Sequence, residues 1–415
     1  MGMRNWMKRR EVLVWAARGF IAAVGSSLVS SAARAQFWGP AFWRKRKVFG
    51  PFPGGNQSYG SVLDFARELS KYSDSGGPQA GGTLTLNNQA LGSYDYVIRE
   101  GNQTVSSFVN SAWFTDTEDS RSAWVIVRGN LTIAPGQVFR PARRKLFTVI
   151  YVTGDLVVNG EISMSQRGAN HSPTGSNIAA AEIRIANGTY SGVVNPKVPA
   201  MGAAGGPART YSGSGTSSQV GASGSNGTDG ATGGGGGGAL RKFGSKSATV
   251  SSGAGAAGSP FSGGPGGGGV HRETSGSAGS GAANGGRGGN GNVTTSSGDL
   301  AAGGGAGNPG GSGAKFGTGS AAAGGNGTGG VLIIIVEGNY SGSGAVTASG
   351  ASGGNGSGGG GHDCGGGGSG GGSVTIMIKG VDNGPVPTAL GGSGGNASHK
   401  GGAGGNGTAR KLALS

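Results

Sequence analysis

The sequence predicts a mainly β protein: stacked strand–turn units (β-helix-like rungs) joined to a glycine-rich, polyproline-II-like bundle, with short N-terminal helices. Three observations predict it. Glycine supplies 99 of 415 residues, while charged residues make up only 12%. Glycine brings no side chain and loses the most backbone entropy on ordering, so long parts of the chain cannot build an ordinary apolar core. Between residues 83 and 165, short β-rich runs are separated by Gly, Asn, Asp or Pro, with no helical period among them. Finally, a strand–turn segment running from Val152 through Gly154, Gly160 and Ile162 to Ser165 recurs from Val336 through Gly338, Gly344 and Val346 to Ser349. Every matched position is offset by 184.

The chain divides by composition into four segments: 1–55, 56–80, 81–200 and 201–415. In the first, Arg9-Arg10 opens a mostly apolar run that ends at Ala33-Arg34-Ala35. Paired arginines, a weakly apolar stretch and a small-x-small end resemble a twin-arginine export signal. Lys8 stands where such signals usually carry Ser or Thr, and Arg18 interrupts the apolar run. The alternative is an uncleaved amphipathic helix that docks on a partner. Phe37, Trp38, Phe42 and Trp43, followed by Arg44-Lys45-Arg46-Lys47, read as an anchoring segment that packs on another chain.

Residues 56–72 read as one short helix. Val62, Phe65, Ala66 and Leu69 fall on one stripe, and Ser61 is the N-cap with Asp64 three residues on. Strands are expected at 83–86, 94–99, 123–128, 146–152 and 156–158, then at 331–336 and 374–378. A partial copy of the repeat lies at Val127-Arg128-Gly129-Asn130-Leu131-Thr132-Ile133. Each copy is an apolar strand, a Gly-Asn or Gly-Asp turn and a second short strand, a unit that buries its face only against its neighbours. Gly-Gly-Asn-Gly recurs at 288–291, 324–327, 353–356 and 404–407, with Gly394-Gly395-Asn396-Ala397 as a variant. No strict Gly-X-Y period exists, which excludes collagen. A solvated linker has no need of the wholly apolar run 331–336, so the tracts are expected to fold, backbone packed on backbone.

The formal net charge is +15, but the cations gather near the start and at Arg143-Arg144-Lys145 without a nucleic-acid-binding signature. No specific nucleic-acid partner is expected. The single cysteine, Cys364, excludes an internal disulfide. No phosphate-loop motif is present, and no carboxylate pair stands out among 18 acidic residues. His362-Asp363-Cys364 reads as a loop tip, because three adjacent residues cannot all face one metal. Asp116 to Asp119 reads as a solvated turn lacking the spacing of a calcium loop. The sequence therefore predicts no enzyme activity, no cofactor and no metal. The expected recognition residues are the few large or charged groups within glycine tracts: Tyr211, Arg241, Phe243, Phe261, His271, Arg272, Phe316, His362 and Asp363. On a glycine scaffold such side chains project or fill gaps.

The segment from Tyr151 to Asn170, followed by tracts rich in Gly-Gly-Asn-Gly, resembles the glycine-rich tail-fibre and tail-tip (adhesin-like) proteins of bacteriophages and prophages. The resemblance implies a virion-tail or extracellular location and a structural or host-receptor-binding role. The partners it implies are a host cell-surface glycan or protein, other fibre or tail proteins held through the N-terminal segment, and further copies of the chain in a homo-oligomer. A bacterial surface or matrix protein exported by the twin-arginine route is the alternative.

Overall fold

Strand order in space follows strand order in the chain. A computed structural model describes residues 55–117, 121–169, 181–187, 197–198, 327–357, 365–397 and 400–415. The described elements are β1 (Asn56–Tyr59), α1 (Val62–Leu69), β2 (Gln79–Leu86), β3 (Gln89–Glu100), β4 (Gln103–Val105), β5 (Ser122–Arg128), β6 (Leu131–Ile133), β7 (Val138–Phe139), β8 (Thr148–Val152), β9 (Leu156–Val158) and β10 (Glu161–Ser163). They continue with β11 (Ala181–Glu182), β12 (Lys197–Val198), β13 (Val331–Val336), β14 (Tyr340–Ser341), β15 (Ala345–Thr347), β16 (Ser373–Ile378), β17 (Asp382–Asn383) and β18 (Thr408–Ala413). The protein is mainly β, as its sequence predicts. The large sheet is mixed, with eight strands in the order β1-β2-β3-β5-β8-β13-β16-β18. Only β2 and β3 in it pair antiparallel. A five-stranded sheet, β4-β6-β9-β14-β17, and a three-stranded one, β7-β10-β15, are parallel throughout. Three passes, beginning at β5, β8 and β13, each add one strand to each of these sheets in turn.

The sequence repeat is the sheet register. Leu332 lies opposite Thr148 and Val336 opposite Val152. Tyr340 lies opposite Leu156, and Ile162 opposite Val346. The same offset of 184 links Ser163 with Thr347 and Ser165 with Ser349 by side-chain hydrogen bonds. Segments 81–200 and 201–415 therefore share all three sheets. The turns out of β3, β5, β8 and β13 are each a glycine followed by a capping residue. A Cβ on Gly129 would meet the Gly101 carbonyl oxygen at 2.6 Å, and its φ of +153° suits only glycine. The next residue carries a ladder: Asn102 Oδ1 accepts from Asn130 N, Asn130 Oδ1 from Asp155 N, Asp155 Oδ1 from Asn339 N, and Asn339 Oδ1 from Val381 N. Side chains thereby satisfy backbone donors that the ends of the strands leave unpaired.

Two cores lie on the faces of the large sheet. One joins its Val97, Val125, Ile150, Ile334 and Ile376 to Leu131, Leu156 and Tyr340 of the five-stranded sheet and Phe139, Ile162 and Val346 of the three-stranded one. The other packs Tyr94, Trp124, Phe147 and Tyr151 under α1. Phe65 meets Tyr94 and Trp124 edge-on at 5.1 and 4.7 Å between ring centroids, the geometry that ring quadrupoles favour. Ser61 caps α1 by accepting from Asp64 N at 3.2 Å. The expected helix over 56–72 is shorter than its sequence reading: residues 56–59 form β1, paired with Thr83 to Leu86 of β2. The apolar stripe starts only at Val62, and the backbone before Gly60 finds its partners in a strand instead. Tyr59 still packs on Phe65 at 5.0 Å.

The glycine tracts fill the connections from the three-stranded sheet back to the large one. Residues 348–356 lead out from β15 and 365–372 return to β16; residues 389–396 lead out and 401–407 return to β18. Their hydrogen bonds recur every third residue. Gly350, Gly353 and Gly356 donate to the carbonyls of Leu390, Ser393 and Asn396. Gly366, Ser369 and Gly372 donate to those of Gly354, Ala351 and Ala348. Gly368 and Gly371 donate to Gly402 and Gly405. Exposure has the same period: Ser352, Asn355, Ser393, Asn396, Ala403 and Asn406 face solvent, whereas 365–372 are buried throughout. That central tract touches three others, and only Ser369 and glycines compose it.

A Cβ at Gly368 would lie 2.1 Å from the Gly392 oxygen and 2.6 Å from that of Ser393. Gly368→Ala is therefore expected to cost about 1–3 kcal/mol by overpacking. Ala403→Ser, at an outward position, is expected to stay within about 0.5 kcal/mol. Urea unfolding of the two variants beside the native chain checks the contrast; equal costs at both positions would contradict close backbone packing.

Candidate functional site

Two clusters of charged side chains beside the apolar strands are the candidates for chemistry, one at Asp95 and Lys145 and one at Glu337. Asp95 sits between Tyr94 and Tyr96 in β3, and Lys145 lies just before β8. Lys145 is fully buried and Asp95 nearly so. The Lys145 Nζ donates to Asp95 Oδ2 at 3.3 Å, to Thr117 O at 2.8 Å and to Thr117 Oγ1 at 2.7 Å. Arg121 Nε donates to Asp95 Oδ1 at 2.6 Å, and its Nη2 to the Tyr94 carbonyl at 3.0 Å. The hydroxyls of Thr115 and Thr117 both donate to Asp95 Oδ2. Burial alone would raise the Asp95 carboxyl, but the two threonines, Lys145 and Arg121 hold it below the usual carboxylate range. Burial pushes the Lys145 amine down, with Asp95 opposing.

The second group gathers at Glu337, just after β13. Its Oε1 accepts from Arg67 Nε at 3.1 Å, Arg67 Nη2 at 2.8 Å and the Tyr151 hydroxyl at 3.1 Å. Lys379 Nζ approaches Oε2 at 3.4 Å. Burial raises the Glu337 carboxyl, and Arg67, Tyr151 and Lys379 bring it below its ordinary range. Burial beside this carboxylate pushes the Tyr151 hydroxyl up to about 12. This group ties α1 across the large sheet. In both groups each carboxylate oxygen already has partners, so the arrangement fits structural ties better than acid–base work, which needs a group open to a substrate.

Among the described residues no group of three or more His, Cys, Asp or Glu is arranged to hold a metal ion. No described helix is long and apolar enough to cross a membrane. Asp116, from the acidic run, pairs with Arg143 at 2.9 Å; Glu118 and Asp119 lie outside the described residues.

All nine expected recognition residues lie outside the described residues: Tyr211, Arg241, Phe243, Phe261, His271, Arg272 and Phe316 between Val198 and Gly327, and His362 and Asp363 between Ser357 and Gly365. The flanks of the shorter connection are fixed. Gly366 N donates to Gly354 O at 2.9 Å, so an outgoing and a returning tract lie side by side there. Gly356 N donates to Asn396 O at 3.0 Å and Gly401 N to Gly395 O at 3.1 Å, so the outgoing tract of the second connection lies beside both the first and its own returning tract. The sequence reading missed Asp95 and Lys145. The available signal was a carboxylate inside an otherwise apolar strand, which requires a buried counter-charge. No protein-family model, no curated protein and no solved structure matches this chain.

Asp95→Asn strands the buried Lys145 charge and is expected to cost about 3–5 kcal/mol of stability. Because the folded value of Asp95 is depressed, its contribution is complete above its ordinary value of 3.8 and declines as pH falls through the lower folded value. Urea unfolding from pH 7 to pH 2 checks both: the native chain should lose stability on the acid side more steeply than the variant. Parallel curves would remove Asp95 from the account.

Proposed function

We propose that this chain is a non-enzymatic, glycine-rich tail-fibre or tail-tip protein that binds a host cell surface. In this reading the parallel strands are β-helix-like rungs, and the glycine tracts are polyproline-II-like helices that form elongated corners of those rungs. The observation that carries the fold part is the three-residue period of both hydrogen bonding and exposure, since polyproline II has three residues per turn. Chain-order addition of parallel strands supports the rungs.

The functional part follows from where side chains are available. A rigid glycine body has little chemistry of its own, so recognition falls to the connections between tracts, among them the one carrying His362 and Asp363. The paired flanks of that connection support its use as a tip. A host glycan or surface protein is the partner, contacted by stacking and hydrogen bonds; the N-terminal segment joins other fibre proteins, and the chain assembles as a homo-oligomer. The alternative, export of a bacterial surface or matrix protein, rests on Arg9-Arg10 with Ala33-Arg34-Ala35.

The test is adsorption of fluorescently labelled full chain to a panel of bacterial cells. Saturable binding to some strains, reduced about tenfold in a His362→Ala/Asp363→Ala variant of unchanged fold, is the expected result. Absence of binding to every strain, together with a mature N-terminus at Gln36 in mass spectra of material secreted by its host, would favour the exported surface protein.

A further inference from the structure

We propose that residues 381–390 are a built end that prevents a second copy of this chain from adding to the stack. The inference rests on the stacked-rung reading above and concerns how that stack stops.

Two polar ladders climb the strands and both end in this segment. In the first, Asn102, Asn130, Asp155 and Asn339 each accept from the backbone of the next pass, and the next residue is Val381. In the second, Ser165 Oγ accepts from Ser349 N and Ser349 Oγ from Leu390 N. Val381 and Leu390 receive the bond from below but have no side-chain acceptor to offer above. A further pass of chain would leave its corner N–H groups unsatisfied there.

The strand edge is closed by a different means. In a parallel ladder the N–H and C=O of one residue face one neighbour, and those of the next residue face the other. Thr388 N donates to Val346 O and Thr388 O accepts from Ala348 N, both at 2.9 Å, so residue 388 faces the preceding pass. The alternation puts residue 387 on the open side, and it is proline; Pro385, whose carbonyl accepts from the Tyr340 hydroxyl at 3.0 Å, likewise has no N–H to offer. The donors that an incoming strand needs are absent at those positions. Lys411 of β18 completes the end. Its ammonium lies 5.1 Å from the Tyr340 ring centroid and donates to Asp382 Oδ1 at 2.8 Å and to Gly384 O at 2.7 Å. A cation thus stands over the last aromatic of the interior.

Val381, Val386 and Leu390 are 59, 76 and 53% exposed. Apolar exposure alone would suit a contact face, but Pro385 and Pro387 interrupt the backbone donors beside these side chains.

Restoring the ladder and the donors tests the inference: Val381→Asn, Pro385→Thr, Pro387→Thr and Leu390→Ser combined in the full chain. Sedimentation velocity over a concentration series should show self-association about tenfold or more tighter than that of the native chain. Hydrogen exchange across β13 is measured in both proteins, so that a collapsed stack is recognised as a failure of the rung reading rather than of the end. An intact variant that associates no more than the native chain would overturn the proposal. So would native self-association that is abolished by Val386→Lys, because residues 381–390 would then be an interface.

Discussion

The pairing of β8 with β13 holds the molecule together. These strands are far apart in sequence, yet Thr148 to Val152 lie against Leu332 to Val336 without a slip. A one-residue slip in a β ladder turns every side chain to the other face. Here Val149 and Tyr151 look toward α1 while Ile150 and Val152 look toward the interior. A slip would present Tyr151 to an interior lined by Leu156 and Val158. The register also sets the side sheets, because β9 and β10 follow β8 after short turns, just as β14 and β15 follow β13. One alignment in the large sheet therefore places Tyr340 on Leu156 and Val346 on Ile162. The ladders that carry the same offset strengthen the registration, since Asn339 N finds its acceptor on Asp155 only when the strands are aligned.

Glycine plays a second, separate part. Ordering a glycine tract costs more conformational entropy than ordering any other sequence. The offsetting gain has to come from backbone contacts, and their density depends on how closely tracts approach. At Gly395 a Cβ would lie 1.9 Å from the Gly354 oxygen, so the separation observed is open to glycine alone. Such closeness satisfies nearly every third N–H directly and brings Cα–H groups against carbonyls, which adds weaker attractions. The tract 365–372 is the limiting case: neighbours surround it, and it tolerates only one non-glycine residue, Ser369.

The buried charges do different work from the tracts. Asp95, Lys145 and Arg121 bind the loop around Thr115 and Thr117 to β3, where the large sheet turns from antiparallel to parallel pairing. Glu337 binds α1 to a later strand, and so spans passes separated by the longest connection. Glu337 lies on the α1 face of the large sheet beside Tyr151, whereas Asp95 alternates with Tyr94 and Tyr96 and so shares the other face with Val97 and its register partner Ala123. The helix and its ion pair with Glu337 cover one face of the large sheet, and the other face carries an aliphatic core with an aromatic group around Phe139.

How much of this was legible follows from which contacts are periodic. The helix stripe from Val62 to Leu69 and its Ser61 cap were readable because every partner lies within one or two turns. The repeat was readable because register in space and offset in sequence are the same number, 184. β1 was not readable: four residues with no apolar alternation become a strand only because β2 offers them an edge. The Asp95–Lys145 pair was hidden for a similar reason, as its members are 50 residues apart and the basic run around Lys145 looks like surface charge. The glycine tracts are an intermediate case. Their composition suggested folded backbone, but their order in depth is written in the residue at every third position. Where Ser, Asn or Ala recurs at that position, as at Ser352 with Asn355 and Ala403 with Asn406, the tract has a face for solvent. Where glycine takes that place as well, it has none, and burial on all sides is the arrangement that such a sequence permits.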